Sequence, residues 1–146
     1  MNFGNNFLVI IPARANSKGI LEKNVQLIGN KPMIQYTIES ALGNFSSEQI
    51  IITSNDQKVL EIAKMLGLKI PFIRPEELST DISHTADVLN HTLDWFQSEY
   101  KTLPKNLILL QPTSPFRDAN DIRLAVNQFN HSNKKTLISA TDPMQH

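Results

Sequence analysis

Between Arg14 and Asn24 the chain sets Ser17, Lys18, Gly19 and Lys23, so three cations and several small polar groups share one short segment. Those residue types suit a polyphosphate. Lys18 and Lys23 are mobile point charges, Arg14 offers a planar fork for two phosphate oxygens, and backbone N–H groups in a turn can cradle the rest. The bland alternative is a basic connection that simply faces water. Context favours the ligand. The segment follows Phe7–Ile11, an unbroken apolar run ended by Pro12, which reads as a strand covered on both faces. Two familiar phosphate loops are excluded. The Gly-x-x-x-x-Gly-Lys-Ser/Thr spacing is absent, and Gly19 is the sole glycine between Gly4 and Gly29, so Gly-x-Gly-x-x-Gly does not occur.

The elements that must position this loop are legible as alternating patterns. Apolar runs at Phe7–Ile11, Ile50–Thr53, Lys69–Ile73, Leu107–Leu110 and Thr136–Ser139 predict strands. Helices are predicted between most of them. Met33–Leu42 carries Ile34, Ile38, Ala41 and Leu42, with Gly43 as a stop. Asp56 opens a second helix, with Val59, Ile62, Ala63 and Leu66 on one face before Gly67. A third runs from Ser83 to Tyr100 with Ala86, Leu89, Leu93 and Phe96 aligned. A fourth begins at Asp118 and buries Ile122, Ala125, Val126 and Phe129. Strands alternating with helices predict an α/β fold: three layers, a doubly wound and mostly parallel sheet, with ligands beyond the strands' carboxyl ends.

The totals bound the partners. At 146 residues the chain is read as one domain, 1–146. Fourteen basic residues balance fourteen acidic ones, which gives no footing for non-specific nucleic-acid binding or an anionic membrane. The basic loop is thus a local feature of a neutral chain and favours a small anionic ligand. Without cysteine there is neither a disulfide framework nor a thiolate metal site. No apolar run approaches the roughly 20 residues of a membrane span, and the first residues lack a secretory pattern, so a cytoplasmic location is the default expectation.

Four ordered motifs then become recognisable. Ile-Pro-Ala-Arg-x-x-Ser-Lys-Gly-x-x-x-Lys-Asn at Ile11–Asn24 closely resembles the nucleotide-binding signature of the CMP-sialic acid synthetases, the acylneuraminate cytidylyltransferases, which include the legionaminic and pseudaminic acid enzymes. Ile52-Thr53-Ser54-Asn55-Asp56 resembles the family's second strand end. Arg74-Pro75-Glu76-Glu77-Leu78-Ser79-Thr80-Asp81 resembles its Arg-Pro-x-x-Leu-Ala-x-Asp segment, and Leu109–Arg117 resembles its Leu-Leu-Gln-Pro-Thr-Ser-Pro-Leu-Arg. The similarity spans essentially the whole chain.

The resemblance implies a Rossmann-like nucleotide-diphospho-sugar transferase fold. It also implies transfer of CMP from CTP to a nine-carbon 2-keto sugar acid, with release of pyrophosphate. By the same resemblance Arg14, Ser17, Lys18 and Lys23 would hold the triphosphate, with Arg14, Lys18 and Lys23 offsetting charge in the reaction. Asn24 and Arg74, with the backbone near Ala13, would meet the cytosine and ribose, and Thr85 falls where a hydroxyl residue often lines the nucleotide pocket. Gln111, with Thr113 and Ser114, would meet the sugar acid. Gln111 closing the run Leu107–Leu110 could equally cap that strand's backbone. The family uses Mg²⁺ on an Asp-x-Asp pair and forms homodimers. No Asp-x-Asp occurs here, and family members continue for roughly half as much chain again, so the domain is expected to be C-terminally incomplete.

The remaining polar residues have plainer readings. Asp81 reads as a loop or cap residue, and Asp118 as a helix N-cap with Asp121 at N3. Arg117 beside Asp118 reads as a surface ion pair. His84, His91, His131 and His146 lack the spacing of a metal site, and His91 reads as structural. Trp95 and Phe96 read as core or interface. Two alternatives stand beside the enzyme reading. One is a catalytically inactive nucleotide-binding or interaction module, suggested by the missing metal pair. The other is an octulosonate cytidylyltransferase, against which the Ser-Lys-Gly and Gln-Pro-Thr-Ser-Pro runs argue.

Overall fold

The computed structural model describes residues 6–15 and 19–140. Strand β1 (Phe7–Pro12) is followed by a small antiparallel hairpin, β2 (Leu27–Ile28) and β3 (Lys31–Pro32), then helix α1 (Met33–Leu42), β4 (Ile50–Thr53), α2 (Gln57–Met65), α3 (Thr85–Tyr100), β5 (Asn106–Leu109) and α4 (Ala119–His131). The main sheet is parallel in the order β4-β1-β5, with Ile10 opposite Ile51 on one side and Leu109 on the other.

The central place of β1 follows from its composition. Alternate side chains enter two separate cores. Phe7, Val9 and Ile11 pack with Ile34, Ile38, Val59, Ala63, Ile122 and Val126 of α1, α2 and α4, whereas Leu8 and Ile10 pack with Ile51, Phe72 and the partly buried Leu89, Leu93, Trp95 and Phe96 of α3. A strand apolar on both faces must be covered twice, and three layers result. Each fully buried aliphatic side chain on β1 contributes roughly 1.5–3 kcal/mol by leaving water.

The helix boundaries have local causes. Asp56 accepts the Lys58 N–H at 3.0 Å to start α2. Asp118 and Asp121 form a reciprocal capping box at α4, at 2.9 and 3.0 Å, as their spacing predicts. Gly43 ends α1 in ordinary helical geometry. Its lack of a side chain matters for packing, since an added Cβ would lie 2.6 Å from the Ala119 side chain.

Two expected strands do not form. Residues 69–73 form no strand and join no ladder, and Pro71 removes a donor from the middle of the run. Residues 136–139 also stay irregular, with Ile138 exposed, because a four-residue strand without a ladder partner has too little to hold it. On α3, Ala86 is exposed, while Val88 and Thr92 are the buried positions. The β2–β3 hairpin was not expected. Its signal is Gly29-Asn30, a two-residue turn with Gly29 at φ +63°. None of the described helices is long and apolar enough to cross a membrane.

Candidate nucleotide site

Beyond the carboxyl ends of β1, β4 and β5 lies a cleft of about 240 Å³ lined by Pro12, Arg14, Lys23, Asn24, Arg74, Leu78, Thr80, Ser83, Thr85, Val88, Gln111, Pro112 and Thr113. The topology brings these together. Strand β1 delivers the basic loop at the centre, the segment after β4 delivers Arg74 and the N-terminus of α3, and β5 delivers Gln111. Seven residues predicted for the site therefore share one cleft: Arg14, Lys23, Asn24, Arg74, Thr85, Gln111 and Thr113. Ala13 lies buried beneath it, its N–H donating to Thr53 O at 3.0 Å. Ser114 is exposed outside the lining, its N–H donating to Gln111 O at 3.4 Å. Ser17 and Lys18 lie outside the described residues.

The basic loop is tethered on both sides. The Asn24 side-chain amide donates to Arg14 O at 3.0 Å and closes the loop's base. Ala15 N–H donates to Asn55 Oδ1 at 2.8 Å, which ties the loop's start to the end of β4. On its far side Glu22, at φ +50°, meets Lys58 of α2 at 2.6 Å. Gly19, at φ +95°, supplies a left-handed turn that side chains resist. These bonds hold Arg14, Ala15, Glu22 and Asn24, so the described ends of the loop need little further ordering to meet an anion.

Two arginines set the electrostatics. Arg74 is 4% exposed, donating from Nε to Thr53 Oγ1 at 3.1 Å and from Nη2 to Thr53 O, so it braces the end of β4. Burial, with the charge of Arg14 adding to it, pulls its pKa down to about 10, and it remains a cation at neutral pH. Arg14 Nη2 meets Asp81 Oδ1 at 2.6 Å across the cleft mouth. Asp81 is thus a loop residue, as read, but one that touches the basic loop.

Other expectations change more. Arg117 does not pair with Asp118, whose carboxylate is taken by the capping box. Its Nη2 instead reaches Gln111 O at 3.4 Å. His91 packs edge-on to Phe72 with ring centroids 4.8 Å apart, a structural place. Asn55, Leu78, Thr80, Ser83 and Val88 were not singled out from sequence for this site. Asn55 lay inside a motif, yet nothing local announces a bond to Ala15. A somewhat larger cavity of about 290 Å³ lies at the amino end of β4, among Ile50, Ile51, Trp95, Phe96 and Tyr100. It lies at the opposite end of β4 from the basic loop, and its charged lining residues, Glu48 and Glu99 against Lys69, do not suit a polyphosphate.

The described residues show no ready-made site for a metal ion. Among the described residues no three His, Cys, Asp or Glu groups could hold a metal ion, and the carboxylate bonded to the basic loop, Asp81, is engaged by Arg14.

Fold and cleft together define a three-layer α/β domain with a cationic loop at the carboxyl end of its central strand. Residues 8–145 match the family model described as cytidylyltransferase, and the chain belongs to that family. It is 38% identical over 122 residues to the CMP-N,N'-diacetyllegionaminic acid synthase of Legionella pneumophila, covering 82% of this chain and 51% of that protein. It is 37% identical to the N-acylneuraminate cytidylyltransferase of Escherichia coli O18:K1:H7, covering 92% and 31%, and 33% identical to the pseudaminic acid cytidylyltransferase of Campylobacter jejuni, covering 92% and 58%. The chain therefore spans between 31% and 58% of the length of these relatives. The fold is shared with a CMP:2-keto-3-deoxy-manno-octonic acid synthetase solved with CTP, at TM-score 0.65 and 23% identity over 85% of this chain and 47% of that one.

Proposed function

We propose that this chain is the nucleotide-binding part of a cytidylyltransferase that activates a nine-carbon, sialic-acid-like 2-keto sugar acid with CTP, giving the CMP-sugar and pyrophosphate. The observation that carries the reading is the single cleft that gathers Arg14, Lys23 and Arg74 on one side and Gln111 on the other. CTP would lay its triphosphate along the basic loop, with Lys18, Lys23 and Arg14 offsetting the charge that builds on the departing pyrophosphate. Asn24, Arg74, Ala13 and Thr85 would enclose the nucleoside, and Gln111, Thr113 and Ser114 would place the sugar so that its anomeric oxygen attacks the α-phosphate in line. The family's divalent cation would take ligands from outside the described residues, and no step here depends on it.

Calorimetric titration of this chain should give CTP binding in preference to ATP. Lys23→Ala and Lys18→Ala should each weaken it by about tenfold or more, the scale of a lost charge-assisted hydrogen bond. Equal affinity for all four nucleotides would overturn the assignment. A panel of sugar acids would separate eight-carbon from nine-carbon substrates.

One observation favours a second reading, an inactive nucleotide-binding module: no metal-holding group exists among the described residues. Pyrophosphate release by this chain, requiring both sugar acid and Mg²⁺, would exclude it.

A further inference from the structure

Arg117 stands at the far end of the connection that begins with Gln111 at the cleft rim, and folds back behind the cleft lining so that its guanidinium meets the Gln111 carbonyl. It is half-buried and poorly compensated. Nη2 makes a 3.4 Å bond to Gln111 O, and Nε lies out of reach of solvent with no acceptor. Among the described residues no carboxylate comes within ion-pair distance of it. The neighbouring acids face the α4 capping box, where Asp118 and Asp121 each accept a backbone N–H, and neither forms an ion pair with Arg117. Burial lowers the pKa of Arg117, and the Asp121 charge only partly offsets this. A half-desolvated cation with one long hydrogen bond is a costly arrangement unless an anion completes it.

The position indicates which anion. In the order β4-β1-β5, the triphosphate cations Arg14 and Lys23 follow β1 and Arg74 follows β4, whereas Gln111 and Arg117 follow β5 on the other side. An anion beside Gln111 lies on the acceptor side of the cleft. A 2-keto sugar acid brings one carboxylate, and Nε with Nη2 is the guanidinium edge that can grip a carboxylate with two parallel bonds. The backbone bonds of the connection, Ser114 N–H to Gln111 O and Arg117 N–H to Ser114 O, are long at 3.4 and 3.3 Å, and a carboxylate reaches Nε when the connection moves aside. Resting on the function proposed above, we infer that Arg117 is a specificity-determining residue that binds the carboxylate of the sugar acid and so selects an acid over a neutral sugar.

The test uses the ¹⁵N-labelled 146-residue chain with saturating CTP, titrated with N-acetylneuraminic acid and, separately, with its methyl ester. The Arg117 Nε–H resonance should shift with the acid and not with the ester. Arg117→Ala should weaken acid binding by about tenfold or more while leaving CTP affinity and melting temperature in place. Arg117→Lys, which keeps the charge but loses the fork, should fall between. If CTP itself is not bound, the cytidylyltransferase reading fails. If CTP binds but the acid does not, or acid and ester bind alike, or Arg117→Ala binds the acid as the wild type does, this inference alone is overturned.

Discussion

Asn55 shows what a single side chain contributes to the basic loop. Its Oδ1 accepts from Ala15 N–H at 2.8 Å, a contact across forty positions of sequence that holds the loop's start against β4. A hydrogen bond of this kind is worth about 0.5–1.5 kcal/mol, so Asn55→Ala should lower CTP affinity by roughly three- to tenfold with little change in melting temperature. Asn55→Asp keeps the acceptor and should retain loop geometry, which amide exchange at Ala15 would report. Equal CTP affinity in wild type and Asn55→Ala would show that the loop needs no such anchor. Residue type and strand-end position mark Arg14, and motif position marks Arg74, but neither says what these side chains touch. Arg74 proves to be buried against Thr53, and Arg14 meets Asp81. Those partners lie far along the chain, and no local pattern encodes them.

Elements were the most legible level where their causes are local. Helix α1 occupies Met33–Leu42, as its apolar spacing predicts, and the Asp118/Asp121 box starts α4. The hairpin β2–β3 is joined to α1 by side chains: Lys31 meets Glu39 at 2.7 Å and Gln35 donates to the same carboxylate at 2.7 Å. Lys31 first, and Gln35 with it, hold Glu39 below its ordinary pKa of 4.5. Folding therefore favours the ionised form. Its contribution is complete above the unfolded glutamate value and is lost as pH falls through the lower folded value. In urea melts the stability gap between wild type and Glu39→Gln should be largest near neutrality and shrink as pH falls below the unfolded glutamate value. A gap that persists in acid would mean the ion pair does not couple hairpin to helix. The effect should be small, because both groups are partly exposed.

For the molecule as a whole, zero formal charge combined with a local cluster of cations makes a specific expectation. Raising salt from about 0.05 to 0.5 M should weaken CTP binding markedly, while thermal stability, carried by the two apolar cores, should change little. Parallel loss of both would indicate that surface charge holds the fold together. The amino-acid sequence by itself determined the period of each helix, the two-faced burial of β1, the caps and the chemistry of the basic loop, because these depend on neighbours within a few residues. Only the tertiary structure decided that β1 lies between β4 and β5, that residues 69–73 and 136–139 stay outside the sheet, and that Arg117 returns to Gln111 instead of pairing with Asp118. The reason is physical. A ladder or a buried polar contact exists only when a partner from elsewhere in the chain arrives to complete it, and the free energy belongs to the pair rather than to either segment.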